Sequence, residues 1–110
     1  MSAKVEFKNL IQGNWHILQA IGRIDATNAA AAQTAASAAM DNTNQLALDM
    51  SHLEYISSAG LRVLLSLGKK AKKDAKKFVL CGVIGMVKEI LEDSGTDMLF
   101  EVYNSAADLK

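Results

Sequence analysis

The sequence has no proline and only one cysteine, Cys81, among 110 residues. A lone cysteine excludes an internal disulfide framework and fits a reducing compartment. Without proline there is no proline-rich linker, and no Gly/Ser-rich linker or internal repeat stands in for one. His16, His52 and Cys81 are far apart, with no paired ligand spacing, so no metal site is expected. Twelve basic and twelve acidic side chains cancel to zero formal charge. No global field therefore draws in nucleic acid or an anionic membrane. No apolar run approaches the roughly 18 residues of a membrane span. The opening MSAKVEFKNL carries charges where a signal peptide would be apolar. A single soluble cytoplasmic domain over residues 1–110 is the resulting expectation.

Half of the residues are hydrophobic, enough to bury a core. Val5 and Phe7 share a face of a strand over Lys4–Lys8, and a second strand, Trp15–Ile21, follows the Gly13-Asn14 turn signal. Asp25 or Thr27 is placed to cap an alanine-rich helix running to Met40. QLALDM (Gln45–Met50) has the length of a strand. Leu61, Leu64, Leu65 and Gly68 then recur at helical spacing, continued by Ala71 and Ala75. FVLCGV (Phe78–Val83) is apolar throughout, as a parallel strand covered on both faces is. Met86, Val87, Ile90 and Leu91 mark a helix that stops at Ser94-Gly95. A strand over Met98–Tyr103 and a short helical turn from Asn104 to Lys110 complete the chain. The order β-β-α-β-α-β-α-β-α predicts an α/β fold. Its sheet would be mostly parallel but mixed, with four to five strands, alternating helices and an N-terminal hairpin at one edge. In such sheets the loops after the strand C-termini carry the sites.

EYISSAGLRVLL (Glu54–Leu65) falls in such a loop, between the Gln45–Met50 strand and the Leu61–Ala71 helix. It holds adjacent serines, Ser57 and Ser58, where one suffices as a helix cap. A hydrolase would need a histidine base oriented by a carboxylate. Its nucleophile elbow would also need glycine two residues to either side of the serine. Gly60 meets that condition for Ser58, but Ile56 occupies the other position. His52, placed in the same loop without a partner, reads as a surface residue. A receiver-type phosphoacceptor at Asp49 would need a set of hard oxygen ligands for Mg²⁺. No acidic pair follows the first strand, and the last ends in Tyr103-Asn104 without a lysine. Asp49 reads instead as a strand-end carboxylate capping the following turn. No Walker-type phosphate loop occurs, and Cys81 reads as core. KKAKKDAKK (Lys69–Lys77) lies at a helix C-terminus, where cations complement the macrodipole. Without interleaved aromatics it reads as a solvated helix end able to guide an acidic partner, and not as a nucleic-acid site.

Three segments in order, GRIDATNAA, LDMSHLEYISSAGLRVLL and VLCGVIGMVKEILEDSG, resemble the STAS domain. Among STAS proteins they resemble the free-standing bacterial anti-sigma factor antagonists, from Val5 to Leu109. Gly22-Arg23-Ile24-Asp25 matches the family's glycine-x-hydrophobic-aspartate opening of the first helix. Asp49-Met50-Ser51-His52-Leu53 matches the segment before its phosphorylation loop. Tyr55 and Ile56 fill the aromatic and hydrophobic slots of that loop, and Ser57 stands where the family often has aspartate. Ser58 matches the phosphoacceptor, Ala59 the usual Ser/Thr, Gly60-Leu61 the turn into the helix, and Arg62 replaces a frequent glycine. The resemblance implies a non-enzymatic, cofactor-free regulator phosphorylated on Ser58, with Ser57 as the alternate. Its implied partners are an anti-sigma factor that is also a serine kinase, and a serine phosphatase. The implied partner-binding residues are Asp25, Ser57, Ser58, Ala59, Gly60 and Arg62. An unphosphorylated binding module for a nucleotide, lipid or transporter complex is the alternative within the family.

Overall fold

The structure is a computed structural model that describes residues 4–110. Strands β1 (Val5–Gln12) and β2 (Trp15–Ile24) form an antiparallel hairpin. Helix α1 (Ala29–Asp41), strand β3 (Gln45–Ile56), helix α2 (Ser58–Lys73), strand β4 (Lys77–Cys81) and helix α3 (Gly85–Ser94) follow. A 3-10 turn (Thr96–Leu99), strand β5 (Val102–Tyr103) and a second 3-10 turn (Ala106–Asp108) complete the order. The five strands lie side by side as β1-β2-β3-β4-β5, parallel from β2 onward. The result is the expected α/β fold with a mixed sheet and a hairpin edge.

Strand alternation assigns the two faces. Leu18, Ala20, Leu46, Leu48 and Met50 join Ala32, Ala36 and Met40 of α1, Leu64 and Leu67 of α2, and Val87 and Leu91 of α3 in one core. Small alanines on α1 let that helix sit close against its neighbours. The opposite face carries Trp15, Ile17, Ala47, Val79 and Cys81, closed over by Leu109 with Tyr103 and Ala106. Trp15 Nε1 donates to the Lys110 carbonyl at 2.9 Å, and Gln12 Nε2 to the Ala106 carbonyl at 2.8 Å. All three α-helices thus serve one face, and the segment Ser105–Lys110 serves the other.

Burial, reinforced by the Asp49 charge, pushes the Cys81 thiol up to about 12. Only the thiolate reacts, so at pH 8 its reactive fraction falls by orders of magnitude below that of a free cysteine. Ellman's reagent should label native Cys81 at least about a hundredfold more slowly than the urea-unfolded chain. Comparable rates would show that the second face opens readily.

β3 does not stop at Met50; it runs six residues further, to Ile56. Its pairing with β2 slips twice, between Gln19 and Ile21 and again between Gly22 and Arg23, each time adding one residue to β3. These are bulges, which bend a strand and shift its alternation. Met50, Leu53 and Ile56, spaced by three, therefore all reach the helical core. Asp49 lies mid-strand and buried, not at a strand end. The turn-like bond expected of it is present inside the bulge, where Oδ1 accepts Ser51 N–H at 3.0 Å and Oδ2 accepts from Gln19 Nε2 at 3.3 Å. His52 is on the strand as well, exposed, with Nδ1 3.1 Å from Ser51 Oγ.

Three other expectations are corrected. Asn28, not Asp25 or Thr27, is the N-cap residue of α1, and its side chain bonds elsewhere. Of the strand expected over Met98–Tyr103, only Val102 and Tyr103 pair with β4. Gly95, in the left-handed region at φ 74°, ends α3 and turns the chain into the Thr96–Leu99 3-10 turn instead. The short helix expected over Asn104–Lys110 is the single 3-10 turn at Ala106–Asp108.

Candidate functional site

The parallel register sets Arg23 beside Tyr55 and Ile24 beside Ile56 at the C-terminal ends of β2 and β3. Ile24 and Ile56 are both buried. Arg23 lies over the Tyr55 ring, its guanidinium carbon 4.6 Å from the centroid. Such a cation–π contact at an exposed site stabilises by about 0.5–1 kcal/mol. Both residues belong to the motifs quoted above, but only the strand register reveals that they touch.

Beyond these pairs the two chains turn. Ser57 N–H donates to the Ile24 carbonyl at 2.9 Å, tying the two strand ends together. Ser57 is extended, at φ −89° and ψ 177°, and its hydroxyl accepts from Gly60 N–H at 3.4 Å as the N-cap of α2. The capping serine is thus the first of the pair. Ser58 is the first helical residue, is exposed, and has no side-chain hydrogen bond among the described residues. Arg62, also exposed, lies one turn further along α2. Ala59 is half-buried and Gly60 fully buried, so Gly60 shapes the surface from beneath.

Gly60 is there for want of space. A Cβ at that position would stand 2.5 Å from Ile56 Cγ1 and 2.9 Å from Ile24 Cγ2. Its absence lets α2 begin flush against the strand ends. Overpacking costs about 1–3 kcal/mol, while alanine returns about 1 kcal/mol of helix propensity. Gly60→Ala should therefore lose up to roughly 2 kcal/mol in urea unfolding. A gain in stability would mean that the two isoleucines repack freely.

Asp25 belongs to the adjacent turn after β2. Its carboxylate accepts from Thr27 N–H at 2.8 Å and from the Thr27 hydroxyl. Asn28 closes the turn, accepting from Asp25 N–H at 2.9 Å and donating to the Arg23 carbonyl at 2.8 Å. The Thr27 hydroxyl, then its N–H, with help from Arg23, hold the Asp25 carboxyl below its ordinary value. Because the folded value is the lower one, these bonds stabilise the turn above the ordinary carboxylate range. They are lost as pH falls through the depressed value. Strand register thus brings Asp25 and the serine pair to one end of the sheet, just beyond the ends of neighbouring strands β2 and β3.

Among the described residues no group of three His, Cys, Asp or Glu is placed to hold a metal ion. No described helix is long and apolar enough to cross a membrane. The site offers a hydroxyl at a helix N-terminus, a small-residue surround and an arginine one turn away.

The sequence matches the STAS domain family over residues 6–109. This chain belongs to the STAS family. Over 85 residues the STAS protein is 36% identical to BtrV of Bordetella bronchiseptica, named as a candidate anti-sigma factor antagonist, covering 76% of this chain and 73% of BtrV. That similarity groups it with the anti-sigma factor antagonists. Its fold is similar to the crystal structure of an anti-sigma factor antagonist from Mycobacterium paratuberculosis, with a TM-score of 0.85 and 23% identity over 96% of this chain and 90% of that one. It is also similar to the anti-sigma factor antagonist SpoIIAA in its unphosphorylated form, at a TM-score of 0.69 and 13% identity over 94% and 89% of the two chains. At those identities the structural likeness is one of fold.

Proposed function

We propose that this STAS protein antagonises an anti-sigma factor by partner switching, with Ser58 as the phosphorylated residue. Unphosphorylated, it binds an anti-sigma factor that is also a serine kinase; phosphorylated, it lets go; a serine phosphatase resets it. The observation that carries this reading is the division of labour between the serines. Ser57 is committed to the helix cap, whereas the Ser58 hydroxyl is exposed and unbonded among the described residues.

Phosphoryl transfer is chiefly a matter of positioning and metal electrostatics, both supplied by the kinase with its ATP and Mg²⁺. The substrate needs only an accessible hydroxyl, whose oxygen takes the γ-phosphoryl group as ADP leaves. Ala59 adds little bulk around it. The phosphate brings a charge of about −1.5 to −2 at neutral pH. Free N–H groups and the α2 dipole accommodate that charge within the domain. The partner, which must desolvate it, does not accommodate it. The contact surface comprises Ser58, Ala59, Ser57, Arg62 and the Asp25 turn, seated on buried Gly60. The protein performs no catalysis itself in this reading.

Phosphopeptide mass spectrometry of the protein from its native cells tests the assignment. Wild type and Ser57→Ala should carry one phosphate, on Ser58, and Ser58→Ala none. Phosphate on Ser57 would move the acceptor. No phosphate under any growth condition would replace the switch with an unphosphorylated binding module.

A further inference from the structure

At the end of α2 away from Ser58 the molecule has a groove that the switch leaves unused. Gly68 lets the Phe100 ring lie against the helix: a Cβ there would be 3.0 Å from Phe100 Cε1. Phe100 meets Phe78 edge-on with centroids 5.8 Å apart. With Leu65 and Leu99 they floor an open groove of about 340 Å³ between α2 and the Thr96–Leu99 turn. Leu99 is 66% exposed and its neighbour Met98 is 85% exposed. Single exposed apolar residues are ordinary, but a contiguous group beside a concavity marks an interaction surface.

The rim is cationic. Lys69, Lys72 and Lys76 line the groove, within a run of nine residues that holds six lysines and one acid, Asp74. Lys70 is neutralised by Asp41 at 2.8 Å and Asp74 at 3.1 Å. Lys76 Nζ is fixed in place by donating to the Met40 carbonyl at 2.7 Å. Lys69 and Lys72 are exposed and have no ion-pair partner among the described residues. Glu101, on the opposite wall, is engaged by Lys77 at 3.7 Å and by the Tyr103 hydroxyl. The α2 macrodipole is equivalent to only about half a charge and does not balance this rim. On a chain of zero net charge, one groove combines an apolar floor with a positive edge.

We infer that this groove docks an acidic amphipathic helix of a protein partner. Its apolar face covers Leu65, Leu99 and Phe100, and its carboxylates meet Lys69 and Lys72, which lie about one turn apart on α2. Nucleic acid would satisfy the lysines but leave the Met98-Leu99 wall in water. A membrane surface meets flat or convex patches, whereas a concave groove accepts projecting side chains. Gly68 to Lys72 lie 10 to 14 residues beyond Ser58, roughly 15–20 Å along the helix, so docking is independent of the switch.

The probe is a synthetic helical peptide with leucines on one face and glutamates flanking them, titrated into the whole protein with amide shifts followed by NMR. A version with lysine for glutamate, phosphatidylserine-containing vesicles and duplex DNA are run beside it. The glutamate peptide should bind saturably, weaken with added salt, and shift Leu65, Gly68, Lys69, Leu99 and Phe100. The K69E/K72E double variant should lose affinity by about tenfold or more. Leu99→Ser should bind less tightly with an unchanged melting temperature, and Ser58→Asp should bind as wild type does. The inference is overturned by absent binding, by shifts elsewhere, or by a K69E/K72E variant that binds equally well. Vesicles or DNA that perturb the groove where the peptide does not would overturn it too.

Discussion

Ser58→Asp should weaken binding to the proposed partner kinase by roughly thirtyfold or more, about 2 kcal/mol, while leaving the fold intact. The two effects separate because the charge meets different surroundings. Within the domain, Ser58 is the first residue of α2 and exposed. An acid there gains about 0.3–1 kcal/mol from the macrodipole, so the melting temperature should hold or rise slightly. At the interface the same carboxylate must shed water without a partner built to receive it. The neighbouring serine supplies the control. Aspartate is as good an N-cap as serine, so Ser57→Asp should preserve the bond from Gly60 N–H and weaken binding less than Ser58→Asp does. Isothermal titration against the kinase and thermal unfolding, on the same preparations, read both quantities. If Ser58→Asp binds as tightly as wild type, the switch is lost as an explanation.

Gly82→Ala should destabilise the fold by about 2–4 kcal/mol. Gly82 sits at φ +66°, where an L side chain is strained. Its Cβ would stand 2.7 Å from Asp49 Oδ1, 2.8 Å from Ser51 Cβ and 3.0 Å from Ser51 N. Those atoms are hard to displace because Asp49 Oδ1 holds Ser51 N–H to form the bulge. Moving either unpicks a buried polar contact. Gly82 N–H is also bonded to the Tyr103 carbonyl at 3.2 Å, which anchors β5. A loss near 3 kcal/mol lowers the melting temperature by roughly 12–24 °C in a domain of this size. A loss below about 1 kcal/mol would show that the bulge yields, contrary to its close packing.

The sequence made the element order and the parallel sheet legible because Leu46, Leu48, Val79 and Leu80 form short apolar runs between helical periodicities. It failed where chain geometry departs from a regular period. Met50, Leu53 and Ile56 repeat every three residues, which breaks the period of two expected of a strand, so Ser51–Ile56 read as loop. Two bulges create that spacing, and both arise from pairing with β2. Asp49 shows the same confusion, since a carboxylate bonded two residues ahead means a turn locally but a bulge within a sheet. Met98 to Tyr103 read as strand from its apolar residues, yet Met98 and Leu99 are exposed and Gly95 diverts the chain. At the candidate site, local chemistry was enough to mark one serine of the pair as a cap. The Arg23–Tyr55 stack was not legible, because 32 positions of sequence separate two side chains that only register brings together.

Neighbours in the sheet are also neighbours in the chain, from β1 through to β5. A ribosome can therefore lay down this sheet in the order of synthesis, each new strand finding its edge already waiting. The exception is the join between the hairpin and the Ser105–Lys110 segment, where Gln12 meets Ala106 and Trp15 meets Lys110, 94 and 95 positions apart. That join forms only when the final segment emerges, and Trp15 is the sole tryptophan. Its fluorescence should therefore report the closing of the face sealed by Ser105–Lys110 more than the packing of the helical face.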